Sequence, residues 1–181
     1  MMGRRNAFKL DVVSVRLVKD VSVFSEQEIH SPQDAVNIVG KLLCDMDREM
    51  VCVVNLRTNG VPINCTFASI GAINYATAEP RELLKSSILS NAANIMLIHN
   101  HPSSNLIPSK ADVGMTDRMQ RICELVGIPL IDHVIVGGDN QTYFSFKEKG
   151  IIKNPCMVFQ SNYEYLEWEV PEVAEKGKGG R

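Results

Sequence analysis

The sequence predicts an α/β fold, a mixed β-sheet flanked by helices, and three observations carry that expectation. Short apolar runs, too brief to be helices of their own, alternate along the chain with segments of helical periodicity. Two of those runs are joined by Asn59-Gly60, a tight-hairpin signal that makes at least one strand pair antiparallel. The 181 residues are 45% apolar, enough for one domain with a substantial core and short extensions.

The elements follow in order. Residues 1–8 read as a disordered lead, and LDVVSVRLV (10–18) alternates as a strand does. Ser31-Pro32-Gln33-Asp34 sets a cap, a first-turn proline and a capping-box acid before a helix whose apolar positions include Ala35, Ile38, Val39, Leu42 and Leu43. MVCVVNL (50–56) reads as a buried strand, and VPINCTFASIG (61–71) as its return across the hairpin. Pro80 opens a helix over PRELLKSSILSNA, and IMLI (95–98) is a short central strand that runs directly into His99. Ser109 starts a helix that reaches about Val126. LIDHVIVG is the next strand, and a turn over Gly137–Asn140 leads to a last strand, TYFSF. The boundaries are thus a lead and strand over 1–30, a domain over 31–150 and an extension over 151–181 with a mobile end. In that extension Tyr163, Tyr165 and Trp168 have two readings, a segment packed on the domain or a docking strip for a partner.

Composition narrows the class. Nineteen basic and 21 acidic residues give a formal charge of −2, which offers no electrostatic case for duplex DNA. Five cysteines, an odd number without C-x-x-C spacing, sit mostly in apolar runs and argue against a disulfide framework. A reducing, cytoplasmic setting fits that usage. The basic start is not followed by a long apolar stretch, so no signal peptide is expected, and no run of about 18 apolar residues suggests a membrane span.

The chemistry concentrates in HNHPSSNLIPSKAD (99–112), which holds two of the four histidines one residue apart. Residues i and i+2 of a strand share a face, so His99 and His101 can converge on one ion. Ser109 and Asp112 have two explanations. They are an N-cap and its capping-box acid, or Asp112 is a third ligand on a helix start folded back over the strand end. Three protein ligands leave a fourth position for water, the arrangement of a catalytic zinc site. Such a site needs a general base. Glu49, at the mouth of the buried strand 50–56, is the candidate, against the plainer reading of a solvated helix terminus. Other metal patterns do not fit. H-E-x-x-H is absent, Ser103 and Ser104 stand where a metallo-β-lactamase needs Asp and His, and Asn105 and Leu106 where a cupin needs Glu. The deaminase pair H-x-E and P-C-x-x-C is also absent. The letters HNH do not make the widely spaced site of an HNH nuclease.

His99, His101, Ser109 and Asp112 have the spacing H-x-H, seven residues, S, two residues, D. That pattern resembles the signature of JAMM (JAB/MPN) metalloproteins. HNHPSS…PSKAD, DHVIVG, DREMVCVVNL with its hairpin, and PRELLKSSI together resemble the RadC branch of that family, over roughly residues 31–150. The resemblance implies a three-layer α-β-α fold similar to that of cytidine deaminases. It implies zinc held by His99, His101 and Asp112, Glu49 as the acid acting on a zinc-bound water, and Ser109 stabilising the oxyanion. The implied reaction is hydrolysis of a peptide or isopeptide bond in a protein or peptide substrate. The alternatives are a metal-binding accessory module that no longer catalyses, working with DNA or a protein, and a metal-dependent nuclease suggested only by the family's DNA-repair label.

Two departures stand out. Ser104 occupies a position where RadC proteins commonly have glycine, and only about 30 residues precede the first helix, so a helix-hairpin-helix region ahead of the domain is expected to be missing. His133 matches the family's D-H pair. Adjacent strand residues face opposite ways, so one of Asp132 and His133 looks toward the site layer. His133 has three readings: a satisfied structural histidine, a supporting or substrate-contacting residue, or a ligand. Thr116, one helical turn after Asp112, either supports it by hydrogen bonding or is an ordinary helix-surface residue. His30 reads as a surface residue.

Overall fold

The computed structural model describes residues 14–19, 27–70 and 79–152. Its frame is a five-stranded mixed sheet, β1 (Met50–Leu56), β2 (Pro62–Ile70), β3 (Asn94–Asn100), β4 (Leu130–Val136) and β5 (Tyr143–Ser145). The spatial order is β2-β1-β3-β4-β5. β3 is antiparallel to β1 and parallel to β4, while β1–β2 and β4–β5 are antiparallel.

The central strands are buried along nearly their whole length, which is why their sequences read as continuous apolar runs. Their alternation splits the core in two. Val51, Val53, Ile95, Leu97 and Ile135 face one layer, with Leu83, Leu84, Met119 and Cys123 of α3 (Pro80–Leu89) and α4 (Lys110–Val126). Cys52, Val54, Met96, Ile98 and Val134 face the other, with Ala35, Val36, Val39 and Leu43. The last four belong to one helical run, α1 (Pro32–Ala35), a π-helical stretch (Val36–Gly40) and α2 (Lys41–Leu43). The three-layer α-β-α architecture is therefore present.

Local chemistry sets the joints. Ser31 and Asp34 form a complete capping box at α1. Gly60, at φ 82°, closes the β1–β2 hairpin in a conformation that favours glycine. Gly40 makes a close approach instead: a Cβ there would lie 2.2 Å from Asn140 Oδ1, so a side chain at this point of the π-helical stretch would have to displace the Asn140 amide on the β4–β5 turn. Asp132 ties β4 to the chain after β5. Its Oδ1 accepts from Lys147 N–H at 2.9 Å and its Oδ2 from the Ser145 hydroxyl at 2.6 Å.

The strand expected over 10–18 is not formed where it is described. Residues 14–19 are exposed and irregular, with Val15 70% and Val18 91% accessible. Alternation specifies a strand only when an edge and an apolar face receive it, and none of the five strands pairs with this segment. Residues 10–13, the lead and the aromatic stretch at 163–168 lie outside the described residues. α3 stops at Leu89, three residues before the expected end, because Asn91 turns left-handed at φ 49°. β3 extends two residues past the expected strand and takes in His99 and Asn100. Cys44, Cys52, Cys65 and Cys123 are free thiols. Among the described residues no helix is long and apolar enough to cross a membrane.

Leu97 is fully buried on the central strand, facing α3 and α4. Leu97→Ala should destabilise the fold by about 2–5 kcal/mol in a urea titration. A loss below about 1 kcal/mol would contradict the packing of that layer.

Candidate metal centre

The site forms where β3 ends. Val51 pairs with His99 across the antiparallel β1–β3 ladder, so the start of β1, with Glu49 just before it, lies beside the histidine end of β3. On the other side β4 runs parallel to β3, with Leu97 opposite His133 and His99 opposite Ile135. His133 therefore sits diagonally behind His99 on the same face. After β3, His101 N–H donates to Val136 C=O at 3.1 Å, so the chain keeps to β4 for one more residue. The loop over 102–108 then brings the first turn of α4 back over the strand end.

Asp112 answers the question of competing roles by dividing its oxygens. Ser109 Oγ accepts from Asp112 N–H at 3.1 Å, and Asp112 Oδ2 accepts from Ser109 N–H at 2.7 Å, a complete capping box. That clamp turns Oδ1 toward His99 Nε2, 3.3 Å away, while Oδ2 lies 3.6 Å from His101 Nε2. One ligand atom from each of His99, His101 and Asp112 lies within 4.8 Å of the others, and all three residues are buried. Among the described residues this is the one such group that could hold a metal ion.

The hydrogen-bond network fixes which nitrogens carry protons. The Asp112 backbone carbonyl can only accept, so the Thr116 hydroxyl donates to it, at 2.7 Å. Thr116 Oγ1 then accepts from His133 Nδ1–H at 2.6 Å. His133, driven well below the usual histidine range by burial, is neutral, so its Nε2 is bare and accepts from His99 Nδ1–H at 2.7 Å. His99 is itself pushed down to about 4 by burial, against the opposing pull of Asp112, and is also neutral. Its Nε2 is left with a lone pair and no hydrogen. The Asn105 carbonyl accepts from His101 Nδ1–H, so in the neutral form of His101 it is Nε2 that carries the lone pair.

With His101 neutral, two bare Nε2 atoms face each other 3.0 Å apart beside a carboxylate, in a place with little access to water. In that state neither can donate to the other. Three electron-pair donors converging without a hydrogen among them fit a cation, and the donor set of two imidazoles and one carboxylate suits a divalent metal. The same convergence explains the opposite shifts nearby. Asp112 draws the His101 pKa upward despite burial, with the Asn105 carbonyl and the Glu49 charge adding to the effect. Asp112 is held well below the usual carboxylate range: burial works against this, but His101, His99 and Ser109 outweigh it.

The remaining expected residues are placed as follows. Glu49 is half-buried, and its charge reaches His101. Thr116 and His133 are both buried and both belong to the network behind His99, with His133 also stacked on Phe146 at 4.7 Å between ring centroids. Asp132 faces away from it, as adjacent strand residues must. His30 is exposed and pairs with Glu28. Ser104 adopts φ 56°, a glycine-like conformation; its hydroxyl accepts from Gly138 N–H at 3.1 Å, tying the loop to the β4–β5 turn, and its N–H donates to the His101 carbonyl at 2.8 Å. Sequence reasoning missed Asn105, whose contribution is a backbone carbonyl and carries no side-chain signature. It also missed Asn100, which stands inside the H-x-H pattern as its unread middle letter.

Two expectations follow. Thr116→Val keeps the shape of the side chain but removes the hydroxyl that orients His133, and should weaken metal affinity about 10- to 100-fold in a chelator competition. An unchanged affinity would remove Thr116 from the network. Because the raised His101 pKa makes the proton a competitor, metal affinity should fall as pH drops from about 8 to 5.5, approaching tenfold per unit below that pKa. A flat profile would exclude His101 as a ligand.

Comparison with known proteins gives the family. A family model described as RadC-like JAB domain matches residues 29–151. A UPF0758 protein of Clostridium acetobutylicum is 36% identical over 129 residues, covering 71% of this chain and 56% of the relative. UPF0758 proteins of Clostridium kluyveri and Desulfitobacterium hafniense are each 40% identical, over 127 and 124 residues, covering 70% and 68% of this chain and 55% and 54% of the relatives. The chain spans about half the length of the curated relatives it matches.

Proposed function

The chain belongs to the RadC-like JAB domain family, and on that premise we propose that it is a zinc-dependent hydrolase of the JAMM type, cleaving a peptide or isopeptide bond. One observation carries the reading: the Nε2 atoms of His99 and His101 converge beside the Asp112 carboxylate, 3.0 Å from each other. Two nitrogens in a tetrahedral zinc shell, each at 2.0–2.1 Å, stand about 3.3 Å apart, so this donor set accepts the ion with small adjustment. His99, His101 and Asp112 would hold it.

When bound, zinc supplies a Lewis acid and lowers the pKa of a water ligand to about 7. The protein's own residues do the rest. Glu49, at the edge of the site, takes the proton of the attacking water and passes it to the leaving amine. Ser109 Oγ already accepts from Asp112 N–H, so its hydroxyl hydrogen is free to donate to the carbonyl oxygen as charge develops there. A single donor of that kind is typically worth roughly 2.7–4 kcal/mol of transition-state stabilisation. The network behind His99 holds the imidazole in the ligating tautomer, so no proton needs to move within it as the reaction proceeds.

The test pairs metal content with turnover. Wild type should carry about one zinc per chain and hydrolyse members of a panel of peptide and lysine-isopeptide substrates. Glu49→Gln should keep the zinc and lose about 10²- to 10⁴-fold in rate. Unimpaired turnover in that variant would remove Glu49 as the base. A protein that takes up no zinc when supplied with it would end the hydrolase reading.

A further inference from the structure

Asn100 stands between the two metal-facing histidines and is 2% exposed. The last backbone pair between β1 and β3 is Val51 with His99. Beyond it the Asn100 side chain takes over the ladder. Its Oδ1 accepts from Met50 N–H at 2.8 Å, and its Nδ2 donates to the Arg48 carbonyl at 3.0 Å. Those are the two peptide groups on either side of Glu49. One buried amide therefore ties down the backbone before and after the candidate base, and it does so from the residue that separates the candidate ligands.

We propose that Asn100 is the positioning residue for Glu49, fixing the distance between the base and the metal by anchoring both of its flanking peptides to the ligand strand. This rests on the reading that Glu49 works beside the metal. The side chain is suited to the task. An amide offers one acceptor and one donor on a planar group, which is what an N–H and a C=O two residues apart on an extended chain require. Asn100 does not touch the metal donors, so its effect passes through Glu49 alone. The backbone of His99 and His101 is secured independently by the β4 ladder and by the bond from His101 N–H to Val136.

A purely structural clasp would also use these two bonds, and a double-mutant cycle on the full chain separates the two roles. Cobalt(II) serves as the metal, giving a visible absorption spectrum whose pH midpoint reports on the surroundings of the ion, and chelator competition gives its affinity. Glu49→Gln should shift the midpoint by about one pH unit. Asn100→Ala should shift it in the same direction by at least half as much, with metal affinity held within about threefold. The double variant should match Glu49→Gln alone. Asn100→Ser, which leaves a smaller void, carries the same expectations should the alanine variant fail to fold. The proposal is overturned if Asn100→Ala behaves as wild type while Glu49→Gln shifts, if the two effects add, or if Asn100→Ala lowers metal affinity tenfold or more. A midpoint that Glu49→Gln itself leaves unmoved would instead end the role of Glu49 beside the metal, and this proposal with it.

Discussion

β3 runs antiparallel to β1 on one side and parallel to β4 on the other, so its C-terminal end meets the beginning of one neighbour and the end of the next. The candidate site depends on that mixture of directions. The antiparallel side delivers Glu49 from before β1, and the parallel side delivers His133 from within β4. An all-parallel sheet would carry the start of β1 to the far edge, some 20 Å away for a strand of this length. The hairpin through Gly60 is therefore part of what assembles the candidate site, because it is the turn that lets β1 run opposite to β3.

Behind the metal face lies a chain of polar contacts in which each member decides the state of the next. It begins at a backbone carbonyl, which has no choice of role, and passes through Thr116 and His133 to His99. Burying His99 and His133 is costly unless their nitrogens are paired. Here Nδ1 of each donates, Nε2 of His133 accepts, and Nε2 of His99 keeps a lone pair that could hold an ion. The carboxylate of Asp112 is divided in the same economical way between the helix cap and the site. A helix start and a candidate metal centre thus share one residue without conflict.

Much of this was legible in the residues. Strand and helix periods, the capping boxes at Ser31 and Ser109 and the Asn59-Gly60 turn gave the architecture, because each is a local rule that the three-layer packing obeys. The i, i+2 spacing of His99 and His101 gave the shared face. Three things were not legible. The alternation at 10–18 looked like a strand, yet pairing partners are a property of the sheet, and residues 14–19 have none there. Thr116 had two even readings because its 2% exposure follows from how α4 lies on β4. Asn100 and the Asn105 carbonyl escaped because their partners are backbone groups, which every residue offers and no pattern marks.

The closed capping box at Ser109 has one more consequence. With Asp112 clamped by Ser109, His99 by His133 and His101 by Asn105, the donor atoms are held by the protein itself. The entropy of arranging them is lost during folding and is not lost again at metal uptake. For a metal held by this group, one ion would replace another without breaking these clamps. Selectivity among divalent ions falls to donor chemistry and to the supply of each metal in its surroundings, since a frame already in place is open to any ion of suitable size.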